Sequence, residues 1–313
     1  MMHLRELIER FARRPAQQVP DWMMGLYRRR IIAFADGTSD TATQVFWLQS
    51  RNFSIDLRLP RDDGLVARAV PWAEYSAAEL NVLGNYEGWA ARSSWDGEQL
   101  VWHDPVALQL HDRWPEPAPL RRVGNCMIEF APSGAYVEDW RLQPSKPGPL
   151  VGLRLLEQRE VDSGRLLHRG GGLIVSGDHA GLVLGRPEPV AGAGPLVQQI
   201  LAASGDGEAL GRLMGFETSM ACGSVLEGFA VTHSTCPARI GQPVFPLDGF
   251  SIRDDGVVEQ VLAQDGVPCK RTFAVDTIER ENAWPQSTDQ TVSADAWMQR
   301  ESATLQRYVH SLI

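Results

Sequence analysis

The chain has 313 residues, of which 43% are hydrophobic and 22% charged, with 29 glycines and 20 prolines. That composition supplies a core for one large domain or two ordinary ones and excludes a disordered chain. A net charge of −9 argues against nucleic acid as a partner, and no apolar run approaches the length a membrane span needs.

Leu4, Leu7, Ile8 and Phe11 recur at helical spacing and predict an amphipathic helix over 2–14, packed on the outside of the body. Pro15 and Pro20 end it, and the short basic runs Arg13–Arg14 and Arg28–Arg30 read as solvated faces. The stretch VFWLQSRNFSIDLRLP, residues 45–60, has strand composition broken once in the middle. Its second half alternates without error: Phe53, Ile55, Leu57 and Leu59 on one face, Ser54, Asp56 and Arg58 on the other. Ser76 with Glu79 three residues on forms a capping box for a short helix, stopped by Gly84.

Residues 88–105 read as a hairpin turning at Asp96-Gly97, which sets Trp95 opposite Glu98, Ala91 opposite Trp102 and Ala90 opposite His103. A second hairpin over 126–142 turns near Pro132-Ser133-Gly134, with Tyr136, Glu138 and Trp140 on one face and Val137, Asp139 and Arg141 on the other. The proline-rich run 143–149 reads as a linker. Beyond it come strand pairs turning at Asp162–Gly164 and Gly177–Gly181, then one or two helices in 195–215 around a Gly205–Gly207 break. Further strands follow, with turns at Asp255-Gly256 and Asp265-Gly266, and a final helix capped by Ser293.

The two halves match in the order of their elements: strand pair, helical insertion, hairpin ending near a histidine (His103, His233), hairpin carrying a glutamate (Glu138, Glu259). Two copies of about 130 residues suggest a duplicated antiparallel β-barrel, with a double β-sandwich as the alternative. The expected organisation is an N-terminal helix and lead-in over 1–44, a first barrel lobe over 45–145, a second over 150–282 and a C-terminal helix over 290–313. In the second copy Leu182 and Leu184 stand near the places of Asp56 and Arg58, so that charge pair belongs to the first lobe alone.

WLQSRNFSIDLRLP, the short helix with Ala-Ala-Glu-Leu and the Gly-Trp-Ala strand resemble a lipocalin-like (calycin) double-barrel family, which includes the yeast Hri-type protein and bacterial relatives of unassigned function. The resemblance is clearest over 45–142 and implies a mainly β fold of two lipocalin-like antiparallel barrels in tandem, with short helical insertions and terminal helices. It carries no agreed set of catalytic residues.

Eight of the ten tryptophans lie at or before Trp140, which suits a first lobe gripping an organic ligand. The plain alternative is that they fill its core. Candidate ligand contacts are Trp47, Gln49, Arg58, Trp89, Trp102, Glu129, Trp140 and Arg141, with Arg58 or Arg141 fixing an acidic group. If the lobe is catalytic, Asp56 or Glu138 would be the base and His103 or Tyr136 the acid, because a carboxyl in an apolar lumen has a raised pKa. Ordinary ion pairs and solvated side chains are the competing account of these residues.

Familiar nucleophile, phosphate-loop and zinc-protease motifs are absent from the sequence, and no cluster has metal-ligand spacing. The expectation is a protein with no cofactor and no metal, partnered by a small organic ligand or substrate, without nucleic-acid or membrane partners, and with a homodimer left open. Cys126, Cys222, Cys236 and Cys269 form no CxxC pair, and the charged N-terminus has no secretory core, which together predict reduced thiols in the cytoplasm.

Overall fold

The computed structural model of the protein describes residues 1–110, 116–190, 194–253, 256–282, 295–296, 299–300 and 302–303. The expected C-terminal helix therefore lies almost wholly outside the described residues, although the six described there are helical.

The first half runs α1 (Leu4–Arg10), β1 (Gly25–Phe34), β2 (Ser39–Asp40), β3 (Gln44–Gln49), β4 (Phe53–Leu59), α2 (Ala77–Leu83), β5 (Glu87–Trp95), β6 (Gln99–Ala107), β7 (Ala118–Val123), β8 (Cys126–Phe130) and β9 (Tyr136–Leu142). β2 pairs antiparallel with the end of β1 alone; the other eight strands pair antiparallel in chain order, and β1 pairs with β9 from Tyr27 opposite Leu142 to Phe34 opposite Tyr136. The first half is a closed eight-stranded antiparallel barrel. The ring is thinnest between β6 and β7, which pair only at Gln99 with Pro119 and Leu100 with Ala118. The strand that closes it, β1, comes from the segment expected to be lead-in.

The second half runs β10 (Gly148–Glu160), β11 (Leu166–Arg169), β12 (Gly171–Ser176), β13 (His179–Leu184), α3 (Leu196–Ala202), α4 (Gly207–Met214), β14 (Glu217–Ser224), β15 (Gly228–Ser234), β16 (Phe250–Ile252), β17 (Val257–Gln264) and β18 (Val267–Asn282). Its strands lie in the order β15-β14-β13-β12-β10-β18-β17-β16, with β11 on β10. β15 and β16 end this order without pairing to each other, so the second ladder is open where a second closed barrel was expected. Met2 bridges to Phe250 beside one edge strand, and Pro243 bridges to Ala230 on the other.

α1 serves this open sheet. It is shorter than predicted and lies inside: Leu4, Leu7 and Ile8 join the second core with Phe250, Phe273 and Ile278. An apolar stripe of that width is stabilised by burial, and the open sheet offers it an apolar interior. After Phe11 the chain is extended, and Arg13 bridges to Ile278.

α2 starts and stops as its sequence predicts: Ser76 accepts from the Glu79 amide at 3.3 Å, Glu79 accepts from the Ser76 amide at 2.8 Å, and Gly84 is the C-cap. The region 195–215 forms two helices, the second capped by Asp206. The β5–β6 hairpin differs in register. Trp95 sits opposite Leu100, Ser93 opposite Trp102 and Arg92 opposite His103. Asp96 accepts from the amides of Glu98 and Gln99 at 2.8 and 2.7 Å, which widens the turn beyond the predicted two residues. The slip is two residues, so Ala91 and Trp102 still face the same side.

The alternating strand β4 is what joins the halves. Its apolar face points out of the barrel: Phe53, Ile55, Leu57 and Leu59 pack with Ile174, Val183 and Met220 of the second sheet and with Leu80, Leu196 and Leu210 of the helices. Glycines permit this close approach. A Cβ on Gly152 would stand 2.2 Å from Ser50 Oγ, and one on Gly88 would stand 2.4 Å from Thr218 Oγ1. The polar face of β4 is thereby left to line the barrel's interior.

Candidate functional site

Within the first barrel lies a cavity of about 710 Å³. Its walls carry Trp47 of β3, Asp56 and Arg58 of β4, Trp89 and Ala91 of β5, Trp102 of β6, Glu129 of β8, and Tyr136, Glu138 and Trp140 of β9. Strand alternation puts them there: each is an inward position, and its neighbours along the strand, such as Ile55, Leu57 and Val137, face out. Beside the cavity the interior is filled by an apolar cluster in which Met127, Leu120 and Leu142 meet Val19, Met23 and Met24 from the lead-in.

Nine of the twelve residues expected in the site line this cavity, and three do not: Gln49, His103 and Arg141. Gln49 is buried, its amide donating to the carbonyls of Ser50 and Phe53 at 2.7 and 3.3 Å. His103 is exposed, with Nε2 2.7 Å from Ser94 Oγ. The room expected beside it at Ala90 vanishes with the hairpin slip, which places Arg92 opposite it. Arg141 lies on the outward face of β9, paired with Asp139 at 2.9 Å. It is therefore unable to fix a lumenal ligand.

The tryptophans form a continuous wall. Trp47 meets Trp102 and Trp140 edge-to-face with centroids 6.3 and 5.8 Å apart, and Trp89 meets Trp102 at 5.7 Å. Trp102 donates to Ser54 Oγ at 3.2 Å and Trp140 to Glu129 Oε2 at 3.0 Å. The indole N–H of Trp47, by contrast, is buried without a hydrogen-bond partner.

The charged groups are as buried as the aromatic ones. Asp56, Glu129 and Glu138 are 2%, 5% and 3% exposed. Arg58 donates to Asp56 at 2.8 Å, and burial alone would lower its pKa, but the carboxylates of Asp56, Glu138 and Glu87 hold it above the ordinary arginine value. Glu138 is paired with Arg29 at 2.7 Å, and Arg29 also reaches Asp40 at 3.0 Å. Among the described residues Glu129 has only neutral donors, the Trp140 indole and, at 3.3 Å, the Tyr136 hydroxyl. Burial, reinforced by the Glu138 carboxylate directly across the ladder, pushes Glu129 up to about 8 against the weaker opposing pull of Arg58. Burial likewise raises the Tyr136 phenol, which is a donor throughout the physiological range.

The shift at Glu129 has a stability consequence. Folded chains bind this proton more tightly than unfolded ones, so the stabilisation is complete below about 4.5 and is lost as pH rises through about 8. Urea unfolding of the wild type and Glu129→Gln across this window should show the wild type losing about 2–5 kcal/mol relative to the variant. Parallel pH profiles for the two would contradict the assignment.

Several lining residues were not anticipated. Arg29 falls in a run read as a solvated face, yet only Arg28 and Arg30 are exposed; Arg29 shares strand parity with Tyr27 and points inward. At the cavity's mouth stand Arg169, Gly170, Arg186 and Phe216 of the second half. Arg186 donates to the carbonyls of Ala107, Leu108 and Leu213, and burial brings it down to about 10. Alternation within β1 could have shown Arg29. Nothing local to the second half signals that it reaches the first barrel's mouth.

No family model and no curated protein matches the chain. Among solved structures it is similar to a lipocalin-like protein from Bacteroides uniformis, at 14% identity over 40% of this chain and all of that one, with a TM-score of 0.26. That likeness is too slight to carry an argument, and the barrel rests on its own strand pairing. Eight up-and-down antiparallel strands closed on themselves have the lipocalin architecture. Among the described residues no helix is long and apolar enough to cross a membrane, and no group of three or more His, Cys, Asp or Glu is placed to hold a metal ion.

Proposed function

We propose that the first barrel binds a small, partly apolar organic molecule in its lumen, between the tryptophan wall and the buried Asp56–Arg58–Glu129–Glu138 group. One observation carries this reading: a cavity of about 710 Å³, within the size range of small-molecule sites, opens among indole faces and convergent polar groups instead of being filled by them. The second half then acts as support and as part of the mouth. The Trp-Leu-Gln and Asp-Leu-Arg-Leu-Pro pieces of residues 47–60 support a place in the two-lobed lipocalin-like family with the yeast Hri-type protein, and four unpaired cysteines support a cytoplasmic setting.

Titration with the neutral apolar dye Nile red, read by energy transfer from tryptophan, should show saturable binding of one dye per chain. Absence of transfer would count against the reading.

Acid–base catalysis in the same lumen is a second reading, favoured by one feature. Glu129 and Glu138 face each other across the β8–β9 ladder with unlike surroundings, one beside neutral donors and one ion-paired. His103 would take no part in it.

A further inference from the structure

We propose that the molecule held in the lumen is an organic cation, its charged group seated against Glu129 among the indoles of Trp47, Trp102 and Trp140. This rests on reading the lumen as a ligand site, and it assigns the ligand's charge.

The argument is a balance of charges. Asp56 is matched by Arg58 at 2.8 Å, and Glu138 by Arg29 at 2.7 Å. Glu129 is 5% exposed and, among the described residues, has no Lys or Arg within ion-pairing distance. Among the described residues, Glu129 is thus the one of these three buried carboxyls without a guanidinium partner. An uncompensated buried carboxylate is costly, so Glu129 keeps its proton in the ligand-free protein, and a cation brought by the ligand would supply the charge that lets it ionise. An anionic ligand would find no such partner beside Glu129, since Arg58 is already engaged by Asp56, Arg141 lies outside, and Arg169 and Arg186 stand at the mouth.

A second feature points the same way. Indole faces attract cations through their ring quadrupole, most strongly where water is excluded, and Trp47, Trp102 and Trp140 are mutually packed around this region. Because no metal-holding group is formed among the described residues, an ammonium-type organic ion fits the site better than a metal ion.

A pH signature follows. The groups facing Glu129 are Tyr136, Glu138 and Trp140 from β9 and Asp56 and Arg58 from β4, with Arg29 behind Glu138. Bound cation favours the ionised carboxyl, so binding should expel the Glu129 proton and strengthen as pH rises toward about 8.

Calorimetric titration with three phenols of one shape tests this: tyramine (cationic), para-ethylphenol (neutral) and para-hydroxyphenylacetate (anionic). Tyramine should bind about tenfold or more tighter than the neutral compound, with the anion weakest, and tighten about fivefold or more between about pH 6 and about pH 9. Glu129→Gln, checked for folding by thermal unfolding, should bring tyramine to the neutral compound's level and erase the pH step. Trp47→Phe, which keeps the carboxyl, should weaken tyramine but preserve the step. Should the anion bind as tightly as tyramine, or Glu129→Gln keep the preference, the cation assignment is overturned. Equal binding of tyramine and para-ethylphenol would overturn it while leaving the lumen reading intact; binding of none of the three would remove both.

Discussion

Replacing Arg51 with alanine is expected to destabilise the chain by about 3 kcal/mol, the low end of the cost of breaking a buried pair, because Glu279 keeps the Thr277 hydroxyl at 2.8 Å and Arg14 at 3.9 Å. Arg51 is 1% exposed in the turn between β3 and β4, and its guanidinium forks onto Glu279 of β18 with two contacts of 2.8 Å. It also pairs with Asp21 of the lead-in. Its neighbours work alongside it. Ser50 Oγ donates to Asp276 at 2.7 Å, and Asn52 donates to the same carboxyl through its backbone and side-chain nitrogens, each at 3.1 Å. This turn is thus a polar clamp between the two sheets. Although burial alone would raise Glu279, Arg51 holds it below the ordinary glutamate value, so its contribution is present above that value and lost as pH falls. The penalty in the variant should accordingly be largest at neutral pH and shrink on acidification, as read by urea unfolding. A loss below about 1 kcal/mol, independent of pH, would mean that the pair behaves like an exposed one.

Phe53→Ala is expected to cost a comparable amount, about 3–5 kcal/mol, by opening a void between the halves. Phe53 is almost fully buried on the outward face of β4, and Gly172 and Gly152 of the second sheet are bare where its ring lies: added Cβ atoms would stand 2.8 and 3.2 Å from it. Rigid strands on both sides limit collapse of the void. Denaturant unfolding measures the loss. A cost near zero would place this face in solvent and contradict the docking of barrel on sheet.

Much of this arrangement is legible in local sequence, for physical reasons that can be named. The Ser76–Glu79 capping box and Gly84 mark α2 because cap chemistry is satisfied within a few residues. Perfect alternation in β4 and in Tyr136–Trp140 sorts inward from outward side chains, and that sorting brings most of the expected site into one cavity. Local signals do not decide which of the two faces is the lumen. β4 carries its polar face inside because a second sheet covers the apolar one, and that covering is a tertiary event. Closure by β1, the insertion of α1 and the arrival of Arg186 at the mouth belong to the same class. His103 was misplaced for a smaller reason: an Asp96 side chain that accepts two amides widens a turn whose Asp-Gly pair suggested the tightest form. The apolar character of Leu182 and Leu184, in turn, corresponds to a second interior packed with Leu173, Val175 and Phe229.

The most direct test of a ligand-binding lumen compares Nile red binding in the wild type and in Ala91→Trp. Ala91 lines the cavity across the ladder from Ser54 and is the small residue in a wall of indoles, so a tryptophan there occupies the ligand's volume without entering the interface between the halves. The wild type should bind one dye with tryptophan energy transfer, and the variant should bind about a hundredfold more weakly while keeping its unfolding free energy within about 2 kcal/mol. Equal affinity in the two proteins, or no binding by the wild type, would contradict it.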